Sequence, residues 1–185
     1  MIRENVTKIL SSIPSTVTVL AAAKTRTVEM VQEAYQAGIT HFGHNYVQEA
    51  ATMIPGMQVE IVWHMIGHLQ RNKVKQALGV FASIDTVDSS RLADELEKQA
   101  AFINRRLPIM IEINIGEEEA KSGVNPEQAI QLAQYIQRLS HVHLSGIMTM
   151  GPLSEDPENS RPYFRRTRQI FEEVKRIQPD MVYLS

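Results

Sequence analysis

The chain has 185 residues, 43% of them hydrophobic and 22% charged, with a formal net charge of −2. That length predicts one domain over 1–185 with a sizeable core, and the near-neutral balance excludes the global field that draws nucleic acid or an anionic membrane. Cysteine is absent, which excludes a disulfide framework and thiolate metal ligands. The opening "MIRENVTKIL" has no long apolar core, and no run approaches roughly 20 apolar residues, so a cytoplasmic location is expected.

Short β-branched runs alternate with helical patterns, the signature of parallel βα units. In chain order the strand candidates are 17–23 ("VTVLAAA"), 41–44 ("HFGH"), 60–67 ("EIVWHMIG"), 81–87 ("FASIDTV"), 108–115 ("PIMIEINI"), 143–150 ("HLSGIMTM") and 181–185 ("MVYLS"). Between them, "TVEMVQEAYQAG", "VQEAATMI", "LQRNKVKQAL", "SSRLADELEKQAAFI", "PEQAIQLAQYIQRL" and "YFRRTRQIFEEVKRI" carry apolar stripes near helical period. Asp88 or Ser89 can cap the fourth of these helices, and Pro126 suits an early helical position. A doubly wound sheet would show a glycine-rich turn after the first strand, and "AAAKTRTVEM" has no glycine. The expected fold is therefore α/β, a (β/α)8 TIM-type barrel that stops at its seventh strand and lacks its C-terminal unit.

Barrel sites form at the C-terminal ends of strands. That rule selects Lys24, His44, Asn45, His64, His68, Asp85, Asp88, Asn114 and Thr149. Lys24 is the sharpest candidate, because a lysine half-sunk in an apolar mouth gains neutral, nucleophilic character and can condense with an aldehyde. The ordinary alternative is a strand-end lysine that reaches water. His41, His44, His64 and His68 raise a metal-hydrolase reading, with Asp85 or Glu112 as oxygen ligands. Residues three apart on a strand face opposite ways, however, and Gly67 interrupts the second pair. "GEEEAKSG" (116–123) reads as a solvated loop, and "RPYFRRTR" (161–168) as a charged helix surface.

Taken together, "AAAKT", "AYQAGITHFGHNYVQEA", "WHMIGHLQRNKVK", "SIDTVDS", "GEEEAKSG", "GIMTMGP" and "FRRTRQIFEEV" resemble one family. It is the pyridoxal phosphate homeostasis proteins of the YggS/PROSC type, themselves similar to the barrel domain of alanine racemase. The resemblance runs through essentially all 185 residues. It implies that Lys24 forms a Schiff base with pyridoxal 5'-phosphate and that Asn45 lies close to the cofactor. His64 and Met148 are expected neighbours of the ring, from their places at strand ends. It also implies a non-catalytic role in vitamin B6 homeostasis, with pyridoxal phosphate-dependent client enzymes as partners.

Departures from the family pattern carry expectations of their own. His44 stands where the family has Glu, which changes the charge beside the lysine. Asp85 and Thr86 stand where it often has His-Ser. The family's later phosphate-binding turns have no counterpart after Ser185, so weak cofactor retention and open edges at strands one and seven are expected. The competing readings are an alanine racemase-like enzyme using Lys24 as one base, and a shortened chain with a structural role only. Racemisation would require a second acid–base group on the opposite cofactor face.

Overall fold

The computed structural model describes residues 1–57, 59–118 and 120–185. Glu119, in the acidic loop, is therefore outside the described residues. The chain divides into two compact units, Met1–Gly67 with Gln76–Ala82, and His68–Lys75 with Ser83–Ser185.

The first unit opens with a helix the periodic reading passed over, α1 (Ile2–Ser12), which turns Val6 inward. Then come β1 (Leu20–Ala22), α2 (Val28–Gln36), β2 (His41–His44), α3 (Val47–Met53) and β3 (Val62–Met65). β1 is shorter than the expected 17–23, because Val17 N–H donates to the Pro14 carbonyl in a turn and Val17 is left exposed. The strands pair in parallel, Leu20 opposite His41 and Ala22 opposite Gly43, then Gly43 opposite His64 and His44 opposite Met65. Alternation sends Phe42, Trp63 and Met65 into the core with Val31, Ala50 and Phe81. The Phe42 and Trp63 rings pack with centroids 5.8 Å apart.

The helix α4 (Val74–Leu78) follows a short 3-10 turn, Arg71–Lys73. The second unit then holds β4 (Ser83–Val87), α5 (Ser90–Phe102), β5 (Leu107–Ile113), α6 (Ala129–Ile136), β6 (Val142–Thr149), α7 (Arg161–Ile177) and β7 (Tyr183–Leu184). Ser89 is the cap of α5, its hydroxyl accepting from Leu92 N–H. All four strands are parallel in sequence order. Ile84, Ile109, Ile111, Ile113 and Ile147 are fully buried, as expected of strands covered on both faces. Ser145 is an extra residue in β6, so that Leu144 pairs with Ile109 and Gly146 with Met110. Its hydroxyl donates to the Ile109 carbonyl at 2.9 Å. Among the described residues no helix is long and apolar enough to cross a membrane.

Candidate functional site

In the first unit the strand register decides which polar residues meet. Ala22 pairs with Gly43, the last rung of that ladder, and Lys24 and Asn45 each follow two residues later, just past the ends of adjoining strands. His64 pairs with Gly43 and lies one layer deeper, about 6.6 Å along the strands at 3.3 Å per residue. Lys24 and Asn45 thus lie beyond the paired rungs and His64 within them.

Lys24 is exposed, which corrects the expectation of a half-sunk amine. The strand stops at Ala22, Arg26 N–H donates to the Ala23 carbonyl, and Thr25 takes a left-handed φ of 63°, which lifts the lysine out in a tight turn. A β-branched residue in that region is uncommon and strained. The Lys24 amine forms no hydrogen bond or ion pair among the described residues.

Asn45 has the complementary character. Its Oδ1 is buried and has no hydrogen-bond partner among the described residues. Its backbone is clamped by the loop after β3, where a Cβ on Gly67 would come within 2.7 Å of the Asn45 Cα and collide with its carbonyl oxygen. Glycine at 67 is what lets that loop close over Asn45.

His44 lies on the other face of β2 and is 1% exposed. Its Nδ1 accepts from Tyr46 N–H at 3.2 Å, and Nε2 lies 3.8 Å from Glu49. Burial holds the imidazole below its ordinary value, against the opposing pull of Glu49 and the Tyr46 amide. His44 is therefore neutral at pH 7, and the expected change of charge beside the lysine is the change to a neutral side chain. His64 Nε2 sits 2.9 Å from His41 Nδ1, one ring nitrogen donating and the other accepting according to the tautomer. Among the described residues no group of three or more His, Cys, Asp or Glu is placed to hold a metal ion.

In the second unit, several residues that the strand-end rule selected turn out to hold the backbone. Asn114 donates to the Glu118 carbonyl at 2.8 Å and accepts from Glu118 N–H, which folds the loop after β5. Thr149 donates to the Ile113 carbonyl at 2.7 Å. Asp85, 3% exposed, accepts from Ser83. His68 and Asp88 pair at 3.3 Å. Lys121 pairs with Glu118 at 2.6 Å, and Glu117 with Arg166 at 2.8 Å, so the described acids of that loop are tied into ion pairs. α7 is a charged helix surface, with Arg161 on Glu158 and Arg168 on Glu172.

Met148, 7% exposed, is the register partner of Glu112 across β5 and β6, so both side chains share one face. The strand-end rule left Glu112 off its list and considered it only as a metal ligand. The available signal was a lone acid inside the apolar run "PIMIEINI". Its Oε1 accepts from Ser122 at 3.3 Å, while Oε2 is buried without a partner among the described residues.

A family model for the alanine racemase N-terminal domain matches residues 1–185. The chain belongs to that family. Within it, the pyridoxal phosphate homeostasis protein of Aquifex aeolicus is 40% identical over 158 residues, which cover 85% of this chain and 69% of the relative. That likeness places the chain in the homeostasis-protein branch. Among solved structures, PipY of Synechococcus elongatus without PLP matches with a TM-score of 0.91 at 28% identity, over 98% of this chain and 85% of that one. The same protein with PLP bound matches at 0.88 and 27%, with the same coverage. Alanine racemase of Clostridium difficile matches at 0.81 and 12% identity, over 98% of this chain and 48% of that one, a likeness of fold alone. Seven parallel strands alternating with helices are thus the TIM-barrel-like fold of the family.

Two observations bear on whether these residues suit pyridoxal phosphate. The cofactor carries an aldehyde, and Lys24 offers an exposed amine with no partner among the described residues. Its ring and substituents carry hydrogen-bonding groups, and Asn45 offers a buried oxygen with no partner among the described residues. The residues fit the group.

Proposed function

We propose that this chain binds pyridoxal 5'-phosphate through a Schiff base at Lys24, as a non-catalytic protein of intracellular vitamin B6 homeostasis. The observation that carries the reading is its likeness to PipY with PLP bound, at a TM-score of 0.88 over 98% of the chain. The 40% identity to a pyridoxal phosphate homeostasis protein supports it. Asn45 is the proposed side-chain contact just past the strand ends with Lys24, His64 lies within the paired rungs, and Met148 is a further proposed neighbour. Lys24 would hold the group through its ε-amine, and the group's aldehyde would supply the carbon for a reversible C=N linkage, its oxygen lost as water. The bound group supplies a reversible covalent anchor, which suits storage and hand-over to pyridoxal phosphate-dependent enzymes in the cytoplasm.

The reading makes no demand for a second acid–base group, whereas racemisation does. The relative 40% identical to this chain is named for homeostasis and not for a reaction. The test is intact mass after mixing with pyridoxal phosphate and reducing with borohydride. A single adduct mapped to Lys24 and lost in Lys24→Ala supports the proposal; no adduct, or adducts scattered over surface lysines, overturns it. Alanine racemisation that disappears in Lys24→Ala would replace the non-catalytic part of the reading with an enzyme.

A further inference from the structure

The second unit carries a cavity of about 360 Å³ at the N-terminal ends of β5 and β6, away from the strand ends where barrel sites form. That volume falls at the small end of the range for ligand pockets, about 300–1,000 Å³. Its walls are the end of α6 and the loops that lead into β5, β6 and β7. Gln137 Nε2 donates to the Ile177 carbonyl at 2.9 Å, which ties the end of α6 to the end of α7. Ile136 and Leu144, both buried, give the cavity an apolar floor. Its titratable side chains are Arg106, His143 and Asp180.

His143 stands opposite Pro108 in the ladder, and its Nδ1 is buried with no hydrogen-bond partner among the described residues. A ring nitrogen in that state has lost water without compensation, a cost that a polar ligand atom in the cavity would lift. Arg106 and Asp180 both lie close enough to act on the ring. Burial first, and then the Arg106 guanidinium, hold it below its ordinary value, and Asp180 opposes them. Yet both side chains are exposed, and neither takes part in an ion pair or side-chain hydrogen bond among the described residues. The cavity therefore presents a cation and an anion beside one imidazole. A simple anion there would be repelled by Asp180 and a simple cation by Arg106, whereas a molecule that carries both charges can satisfy both. We propose that this cavity is a second binding site, for a free amino acid with an apolar side chain: its carboxylate on Arg106, its ammonium on Asp180, a polar atom against His143, and its side chain over Ile136 and Leu144. The site lies wholly within the second unit and makes no use of a bound cofactor.

The test is a titration of the isotope-labelled full chain with L-leucine, followed by amide NMR shifts and by calorimetry. Two analogues of the same skeleton run beside it, isocaproate without the ammonium and isoamylamine without the carboxylate. Leucine should give shifts at Arg106, His143 and Asp180 that saturate below about 10 mM, and each analogue should bind about tenfold more weakly or worse. Arg106→Gln and Asp180→Asn should each weaken leucine about tenfold. Their melting temperatures should stay within about 1 °C of wild type, because both side chains are exposed. The absence of saturable shifts with leucine overturns the proposal. So does an analogue that binds as tightly as leucine, a set of shifts confined to residues outside the cavity, or wild-type affinity in both variants.

Discussion

Two lysines follow barrel strands in similar settings and meet opposite surroundings. Lys121, in the loop after β5, is held by Glu118 at 2.6 Å and by the Gly151 carbonyl at 3.3 Å. Lys24, after β1, is exposed and has no such partner among the described residues. The same contrast runs through their neighbours: Asn114 is spent on folding its own loop, whereas Asn45 keeps a buried oxygen unused. In the second unit Asn114 and Thr149 close on the protein, while in the first Lys24 and the Asn45 oxygen are left open among the described residues. Open groups are the ones that need a ligand, since a buried polar atom without a partner is costly and an unpaired amine is free to react.

The largest expected effect separates the lysines directly. Lys24→Ala should abolish the borohydride-fixed adduct, while Lys121→Ala should leave its yield unchanged, as read by intact mass and peptide mapping. Equal losses in the two variants would break the contrast. Next in size is Gly67→Ala, whose new Cβ meets the Asn45 backbone, which cannot swing aside as a flexible side chain would. It should cost about 2–3 kcal/mol in urea unfolding and weaken cofactor retention in parallel. A loss below about 0.5 kcal/mol would mean the loop after β3 does not clamp Asn45.

A smaller effect is expected where the second unit closes on itself. Glu97 accepts from Ser140, His141 and Val142 N–H and from the His141 ring, all at 2.8–3.1 Å, and so fixes the start of β6 to α5. Burial works to raise its carboxyl, but the His141 ring and the three amides together hold it below its ordinary value. Because the folded value lies below the unfolded one, its contribution is complete above an unfolded value near 4.5 and fades as pH falls through the folded value. Glu97→Gln should therefore cost about 2 kcal/mol at pH 7, with the gap to wild type narrowing below pH 4.5. A gap constant between pH 7 and 3 would show that geometry and not charge does the holding. The smallest effect expected is at Thr25, where glycine relieves a φ of 63° at some entropic cost. Thr25→Gly should gain about 0.5 kcal/mol, and a loss of 1 kcal/mol or more would show that the side chain, not the turn, matters there.

Much of the fold was legible. Seven strands and six of the seven helices match the periodic segments within a few residues, because a strand buried on both faces is a continuous β-branched run and each covering helix keeps one stripe. α1 is not legible from a periodic stripe, since it buries only Val6. The ends of β1 and β7 were overdrawn, since apolar composition does not reveal the Pro14–Val17 turn or how few residues of 181–185 find a ladder partner. Lys24 and Asn45 are candidates from position and resemblance, and the structure shows the first exposed and the second with a buried oxygen that has no partner among the described residues. Asn114 and Thr149 were selected by the same rule and prove to bind backbone, because a polar residue at a strand end looks alike whether it faces a ligand or its own loop.

The sequence by itself determined the residue types, the alternation of strands and helices, and the likeness that names the cofactor, for all of these lie in local order along the chain. Only the tertiary structure decided that Lys121 is paired while Lys24 has no partner among the described residues, that His44 is buried and neutral, and that Glu112 shares a face with Met148. Burial, pairing and register depend on residues distant in sequence, and a side chain's chemistry is fixed by the neighbours that folding brings to it.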